Sequence, residues 1–182
     1  MRIMRLALVA MAAFLLWGSS ANAITVEKKR DAPGDPAEVW ALVGDFCAIK
    51  DWHPVVAQCE ETKEGDVTFR ILTLKDGGKI KEKLTGTEET SYSYEIIESP
   101  LPVKNYKATL SIEEDEDSPD RSEVHWEATF DVQGASDDHA RKTIADIFEA
   151  GVKGIKAKAI AAYDAKEGAG GKAEDKDDDD DK

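Results

Sequence analysis

Alternation between apolar and polar residues runs through the middle of this chain, and one long stretch of helical periodicity follows it. The most regular example is residues 124–130, where Val, Trp, Ala and Phe alternate with polar residues. Because side chains two positions apart share one face of a strand, this pattern predicts half-buried strands. From about residue 137 to residue 164 the apolar residues recur at spacings of three and four, which predicts one amphipathic helix. The order predicts an α+β fold in which a curved antiparallel sheet wraps around a long C-terminal helix.

Four or five consecutive strands are expected before that helix. In the first of them, residues 67–71, three apolar residues alternate with Thr68 and Arg70, and residues 76–78 (Asp-Gly-Gly) then predict a hairpin turn. In the next strand, Ile, Glu and Leu at positions 80, 82 and 84 share one face while lysines take the other. Since the apolar face is expected to point inward, Glu82 is expected inside the domain.

Two short helices are expected after the opening strand, which residues 24–30 predict. Asp35 supplies an N-cap, Pro36 the first helical position and Glu38 an acid in the first turn, so a short helix is expected to start here. The segment at residues 46–56 mixes apolar and polar residues and predicts a second short helix or turn. It contains a proline, which ends a helix because it has no backbone N–H to donate.

Both ends of the chain differ in composition from the domain expected at residues 24–165. Residues 1–23 combine two arginines, an apolar stretch and small residues, which predicts a secretory signal peptide cleaved after Ala23 and hence a periplasmic protein. A membrane anchor is the alternative, but the apolar run is shorter than the roughly 20 residues of a spanning helix. Residues 166–182 carry no apolar side chain larger than alanine and predict a disordered acidic tail, which either contacts a basic partner or serves solubility.

Charge excludes one class of function. The chain has 24 Lys+Arg against 38 Asp+Glu, a net charge of −14, and its basic residues are scattered. Because nucleic acids are bound through clustered cations, no nucleic-acid partner is expected. The sequence also contains no nucleophile elbow, zinc-protease motif, phosphate-binding loop or EF-hand spacing, so we expect no metal and no cofactor.

The two cysteines, Cys47 and Cys59, are twelve positions apart. In an exported protein such a pair favours a disulfide, and two buried free thiols are the alternative.

Four stretches in this order resemble the helix-grip superfamily of Bet v 1, START and polyketide cyclase/dehydrase proteins. They are residues 36–46 (Pro-Ala-Glu-Val-Trp-Ala-Leu-Val-Gly-Asp-Phe), 52–54 (Trp-His-Pro), 80–84 (Ile-x-Glu-x-Leu) and 99–103 (Ser-Pro-Leu-Pro-Val) with Tyr106. Within the superfamily the chain is most similar to exported, MxaD-like periplasmic proteins, through its signal peptide, its Trp-His-Pro segment and the Ala150-Gly151 step.

The resemblance implies a cavity between the sheet and the long helix. The inward registers independently place Glu82, Tyr106 and Trp126 among apolar neighbours, a mixture typical of a small-molecule pocket. The residues expected to line it are Trp52, His53, Glu82, Tyr94, Tyr106, Trp126 and Phe148. For Trp126 and Phe148 the alternative is a purely structural place in the core, and for Tyr106 it is a hydroxyl satisfied by the backbone.

Glu82 and His53 are the candidate catalytic residues. A buried Glu82 would have a raised pKa suited to proton transfer or ligand anchoring, unless it pairs with Lys or Arg at the cavity rim. His53 is either a general base at the pocket mouth or a structural residue that caps the short helix. His125 and His139 are expected to face outward.

Three functions remain open. The first is binding of a small hydrophobic or amphipathic molecule. The second, implied by the MxaD-like resemblance, is an accessory role in which an acidic surface meets a basic periplasmic redox protein and assists a methanol or alcohol dehydrogenase with its cytochrome. The third is a cyclase or dehydratase that uses Glu82 and His53 as acid and base.

Overall fold

A computed structural model describes residues 23–170 of the chain. The elements follow in the order β1 (Ile24–Pro33), α1 (Pro36–Val43), α2 (Ile49–Trp52), β2 (Val56–Glu64), β3 (Val67–Leu74), β4 (Lys79–Thr87), β5 (Ser91–Glu98), β6 (Val103–Asp115), β7 (Ser118–Val132) and α3 (Asp137–Gly170). The predicted signal peptide up to residue 22 and the predicted tail from residue 171 lie outside the described residues.

The seven strands form one antiparallel sheet in the order β1-β7-β6-β5-β4-β3-β2. The sheet curves around α3, whose buried residues Ile144, Phe148 and Ile155 meet a core that includes Trp126 and Phe130 of β7. The predicted α+β helix-grip fold, with two short helices after the first strand, is confirmed. Within residues 23–170, no helix is both long and apolar enough to cross a bilayer.

Local signals fix the start of α1 where the sequence predicts it. The side chain of Asp35 accepts a hydrogen bond of 2.9 Å from the backbone N–H of Glu38, and Pro36 occupies the first turn. This cap satisfies one of the donors that a helix start leaves without an internal partner.

The inward face of β3 differs from the simplest interpretation of its alternation. Arg70 and Leu72 are buried, whereas Phe69 and Ile71 are only half-buried on the other face. Both registers of this strand carry apolar residues, so alternation alone did not select the face. Lys81 lies over the Phe69 ring at 4.7 Å, which covers that side of the sheet.

The C-terminal helix is longer than expected. The sequence predicts that it ends near Asp164 and that a disordered tail begins at Lys166, but α3 continues to Gly170. Alanine, lysine and glutamate in this segment are good helix formers. Lys166 also forms an ion pair with Glu38 of α1, which holds the last turns of the helix against the domain.

The predicted disulfide is present. Cys47 and Cys59 are bonded, with their Cα atoms 5.5 Å apart. The bond joins the α1–α2 connection to the edge strand β2. It therefore holds the two short helices against this edge of the sheet.

Candidate functional site

A cavity of about 370 Å³ lies between α3, α2 and the concave face of the sheet. Six of the seven residues expected to line it do so: His53, Glu82, Tyr94, Tyr106, Trp126 and Phe148. Most of the other lining is aliphatic and includes Leu72, Ile80, Ile96, Ile144 and Ile147. The site is therefore mainly apolar with a few polar side chains, as ligand pockets usually are.

The cavity opens between the β3–β4 turn, the β5–β6 connection and the segment after α2. We define the cavity mouth by its lining residues Val55, Leu74, Lys75, Asp76 and Leu101. Val55 is 41% exposed, although it is apolar and adjoins the interior. These residues belong to connections or, in the case of Leu74, to the end of a strand, so the mouth lies where backbone movement is easier than at the strand centres.

An ion pair between Arg70 and Glu82 closes the inner part of the site. Arg70 Nε donates to Glu82 Oε2 at 2.5 Å, and the two side chains are 0% and 5% exposed. Arg70 Nη1 also donates to the backbone carbonyl of Phe46, and its guanidinium lies 3.9 Å from the centre of the Phe46 ring. Of the two alternatives for Glu82, the paired one is present, but deep inside the domain rather than at the rim.

Arg70 is a site residue that the sequence analysis missed. The hairpin register offers the signal, because Arg70 and Glu82 are equally distant from Asp76 in the turn and are direct cross-strand partners. An inward carboxylate needs a partner, and the position opposite it on the neighbouring strand is the first place to look.

Burial and pairing act against each other on Glu82. Burial raises the pKa of the Glu82 carboxyl, and the charge and hydrogen bond of Arg70 oppose that rise. Neutralising Glu82 would leave the Arg70 cation buried without a counter-charge. The pair is therefore ionic at neutral pH, and the site as a whole carries no net charge from it.

Two tyrosines stand beside this pair. Tyr94 OH accepts a hydrogen bond of 3.1 Å from Trp126 Nε1, and the Tyr94 and Tyr106 ring centres are 6.1 Å apart. Burial raises the pKa of Tyr94 and of Tyr106, so both hydroxyls stay protonated. Trp126 stacks on Phe148 with ring centres 4.4 Å apart, which gives the cavity a rigid aromatic wall.

His53 has both ring nitrogens engaged. Its Nε2 lies 3.1 Å from the Ile147 carbonyl of α3, and its Nδ1 lies 3.4 Å from the Val55 N–H. This arrangement requires the neutral tautomer with the proton on Nε2. Burial lowers the pKa of His53 to about 4. The residue also ends α2, since its own N–H donates to the Ile49 carbonyl, so it both caps the helix and lines the cavity.

Trp52 is the one expected lining residue that does not reach the cavity. It packs behind His53 against Trp126, with the two indole centres 5.7 Å apart. Two glycines of α3 make this packing possible, because a Cβ at Gly154 would overlap the Trp52 carbonyl and one at Gly151 would overlap the Trp126 ring. The close approach of α2 to α3 is why Trp52 is buried in the core instead.

The described residues include one cluster of metal-ligating types. Glu27, His125 and Glu127 place one ligand atom each within 4.8 Å of one another. The cluster lies on the face of the sheet opposite the cavity, where His125 was expected to point. The His125 ring already lies between carboxylates of Glu27 and Glu113, at 3.0 and 3.5 Å.

Comparison with known proteins agrees with this architecture. A family model described as polyketide cyclase / dehydrase and lipid transport matches residues 23–159. No curated protein matches the chain.

Several solved structures are also similar to this chain. The protein XoxI from Bacillus cereus is 29% identical, with a TM-score of 0.70 over 75% of this chain and 95% of that one. A START superfamily protein from Mycobacterium smegmatis is 14% identical, with a TM-score of 0.63 over 76% of this chain and 98% of that one. The di-domain ARO/CYC StfQ from the steffimycin biosynthetic pathway is 12% identical, with a TM-score of 0.62 over 78% of this chain and 52% of that one. The last two share the fold alone. Since the family model covers most of the chain, this protein belongs to the polyketide cyclase/dehydrase and lipid transport family.

Proposed function

We propose that this protein binds a small hydrophobic or amphipathic molecule in the cavity between α3 and the sheet, without converting it chemically. The observation that carries the proposal is the cavity itself, which is preformed, open at one end and lined mainly by aliphatic and aromatic side chains. An apolar cavity of this size favours an apolar molecule that moves into it from water.

The geometry favours binding over catalysis by the two candidate residues. A general base needs a free lone pair within reach of the substrate. Both nitrogens of His53 are occupied by Ile147 and Val55, and the charge of Arg70 opposes protonation of the Glu82 carboxylate. A cyclase or dehydratase mechanism that uses these groups would first have to free His53 from its hydrogen bonds and to protonate Glu82 against the charge of Arg70.

Titration with the neutral dye N-phenyl-1-naphthylamine tests the proposal. We expect saturable fluorescence enhancement with one site per chain. Two adjacent substitutions on β5 provide a matched pair: Ile96→Trp fills a lining position, whereas Ile97→Trp changes a residue that is 46% exposed. Ile96→Trp should weaken binding at least tenfold and Ile97→Trp should leave it unchanged. Absence of saturable binding, or equal effects of the two variants, would refute the proposal.

Export to the periplasm belongs to the same proposal. Residues 1–23 support it through their signal-peptide pattern, and the Cys47–Cys59 disulfide supports it because such bonds persist in oxidising compartments. Intact-mass measurement of the protein from a periplasmic fraction should give a chain that begins at Ile24 with both cysteines oxidised. An unprocessed chain with free thiols would argue against it.

A second candidate is the MxaD-like accessory role, in which the protein docks on a basic periplasmic redox protein, a dehydrogenase or its cytochrome. The observation that favours it is a concentration of exposed acids at one end of the sheet. We define the acidic end by residues 64–66, 88–90 and 113–120, which lie in or next to the β2–β3, β4–β5 and β6–β7 turns. Their exposed acids are Glu64, Asp66, Glu88, Glu89, Glu113, Glu114, Glu116, Asp117 and Asp120. Complementary charge of this kind accelerates association with a basic partner.

Pull-down of a periplasmic extract by the mature protein tests the accessory role. Capture of a dehydrogenase or cytochrome should be lost at about 1 M salt, where the Debye length is about 3 Å. It should also be lost in Glu88→Gln/Glu89→Gln, and it should survive in Ile96→Trp. Capture that persists in high salt and in the glutamine variant would exclude this mode of docking.

A further inference from the structure

The polar groups at the inner end of the cavity determine which polar group a bound amphipathic ligand can carry. We call this polar group of the ligand its head. Glu82, Tyr94 and Tyr106 line this end, whereas Arg70 does not line the cavity. The guanidinium is enclosed by Glu82, the Phe46 carbonyl and the Phe46 ring, and it is 0% exposed. A ligand in the cavity therefore meets the carboxylate of the ion pair and not its cation.

Glu82 keeps one oxygen for a ligand. Its Oε2 accepts from Arg70 Nε, and among residues 23–170 no hydrogen bond to its Oε1 is found. Glu82 lines the cavity, and its Oε1 is not among the fully buried side-chain atoms that lack a partner, so the remaining lone pairs lie at the cavity surface. An ionised carboxylate is an acceptor only, so the group that satisfies it has to be a donor.

The charge balance excludes charged heads. An anionic head would lie beside the Glu82 carboxylate with no accessible cation, since His53 is neutral and the guanidinium of Arg70 is 0% exposed and does not line the cavity, although its Nη2 has no hydrogen-bond partner among the described residues. A cationic head would add a net positive charge to an apolar interior that the Arg70–Glu82 pair leaves neutral. A neutral donor, a hydroxyl or an N–H, satisfies Glu82 at no such cost.

We infer that the ligand is a neutral amphipathic molecule whose hydroxyl or N–H group donates to Glu82 Oε1, and that the site rejects carboxylates of the same shape. This inference rests on the proposed binding function. It narrows the ligand to apolar alcohols, phenols and comparable neutral donors, with the apolar part held between Trp126, Phe148 and the aliphatic lining.

Three probes that share one ring system test the head group. Naphthalene has no polar head, 2-naphthol is a neutral donor at pH 7, and 2-naphthoate is an anion. Binding to the full mature chain should be about tenfold or more tighter for 2-naphthol than for naphthalene, and weakest for 2-naphthoate, because a hydrogen bond to a charged acceptor is worth about one to two powers of ten in affinity.

The outcomes separate this inference from the proposed function. If naphthalene and 2-naphthol both fail to bind, the binding function fails and the inference falls with it. If naphthalene binds but 2-naphthol binds no tighter, or if 2-naphthoate binds as tightly as 2-naphthol, the head-group inference alone is wrong.

A double substitution assigns the preference to Glu82. Arg70→Met/Glu82→Leu removes both charges together, so it leaves no buried ion unpaired. It should lose the preference for 2-naphthol over naphthalene, so that the two probes bind with similar affinity. The matched control is Lys107→Met/Glu95→Leu, which removes a cross-strand ion pair of 3.4 Å on the outer face and should keep the preference. A preference that survives in the first variant would overturn the assignment.

The wild-type protein offers a check that needs no variant. Addition of 2-naphthol should shift the side-chain carboxyl carbon resonance of Glu82, and addition of naphthalene should shift it less. Equal shifts with the two probes would contradict a hydrogen bond to Glu82.

Discussion

Arg70 and Glu82 face each other directly across β3 and β4, and the 2.5 Å hydrogen bond between them lies wholly inside the domain. Such a pair adds little net stability over apolar residues of the same size, because taking two charges out of water costs about as much as their attraction returns. Its importance lies in what happens when one partner is missing. The pair also fixes which charge the cavity presents to a ligand.

Removal of one member of the pair should therefore lower the stability of the fold strongly, and removal of both members together should lower it much less. We expect Arg70→Met to lower the free energy of unfolding by about 3–5 kcal/mol, because it leaves Glu82 buried without a counter-charge. Arg70→Met/Glu82→Leu should recover most of that loss. Urea unfolding at pH 7, followed by circular dichroism, measures both. Losses of equal size in the single and double variants would contradict the pairing argument.

Acid should destabilise the fold partly through His53. Its pKa is lowered from 6.5 to about 4 in the folded state, so the unfolded chain takes up the proton first as the pH falls. The stability that the neutral ring contributes is complete above pH 6.5 and is lost as the pH falls towards 4, by about 3 kcal/mol in total. Urea unfolding between pH 7 and pH 4 should show a shallower fall for His53→Gln than for the wild type. The exposed His139→Gln provides the control and should follow the wild-type curve.

Reduction of the disulfide should loosen the short helices. Its loop of twelve residues corresponds to about 3 kcal/mol in the chain-entropy model. Wild-type protein should lose about that much unfolding free energy in reductant, and Cys47→Ala/Cys59→Ala should show the loss without it. Reductant should then have no effect on the double variant. A wild-type unfolding curve that is the same in reductant would show that the bond does not stabilise the fold.

Two glycines of α3 should respond to alanine in opposite ways. Gly154→Ala places a methyl group against the Trp52 carbonyl, and overpacking of this kind costs about 1–3 kcal/mol. Gly168→Ala meets no neighbour within 4 Å and should be neutral or stabilising by up to about 1 kcal/mol. Thermal unfolding of the two variants compares them directly. If Gly154→Ala also raises the melting temperature, the close approach of α2 to α3 is not required.

The sequence predicts the elements whose local signals agree with their packing. In β7 the apolar and polar residues alternate without exception from residue 124 to residue 130, and in α3 a single apolar stripe faces the sheet. The N-cap at Asp35 needs only its own neighbours, so it too was predicted correctly. These features depend on a few consecutive residues and need no knowledge of the sheet order.

The parts that sequence reasoning missed depend on contacts between distant elements. The burial of Arg70 follows from the pairing of β3 with β4 and not from β3 itself. The place of Trp52 follows from the absence of a side chain at Gly154, about a hundred residues later. The extension of α3 to Gly170 is supported by the ion pair of Lys166 with Glu38, on a helix near the other end of the domain.

Because β2 to β7 are consecutive antiparallel strands, their connections lie alternately at the two ends of the sheet. Every second connection, β3–β4 and β5–β6, returns at the cavity mouth, and the alternate ones, β2–β3, β4–β5 and β6–β7, return at the acidic end. The loops that determine what enters the cavity and the loops that determine the surface charge are thus separate stretches of chain at opposite ends of the same strands. Exchange of one set leaves the other set and the strands between them intact. The two properties can therefore be inherited, or engineered, independently of each other.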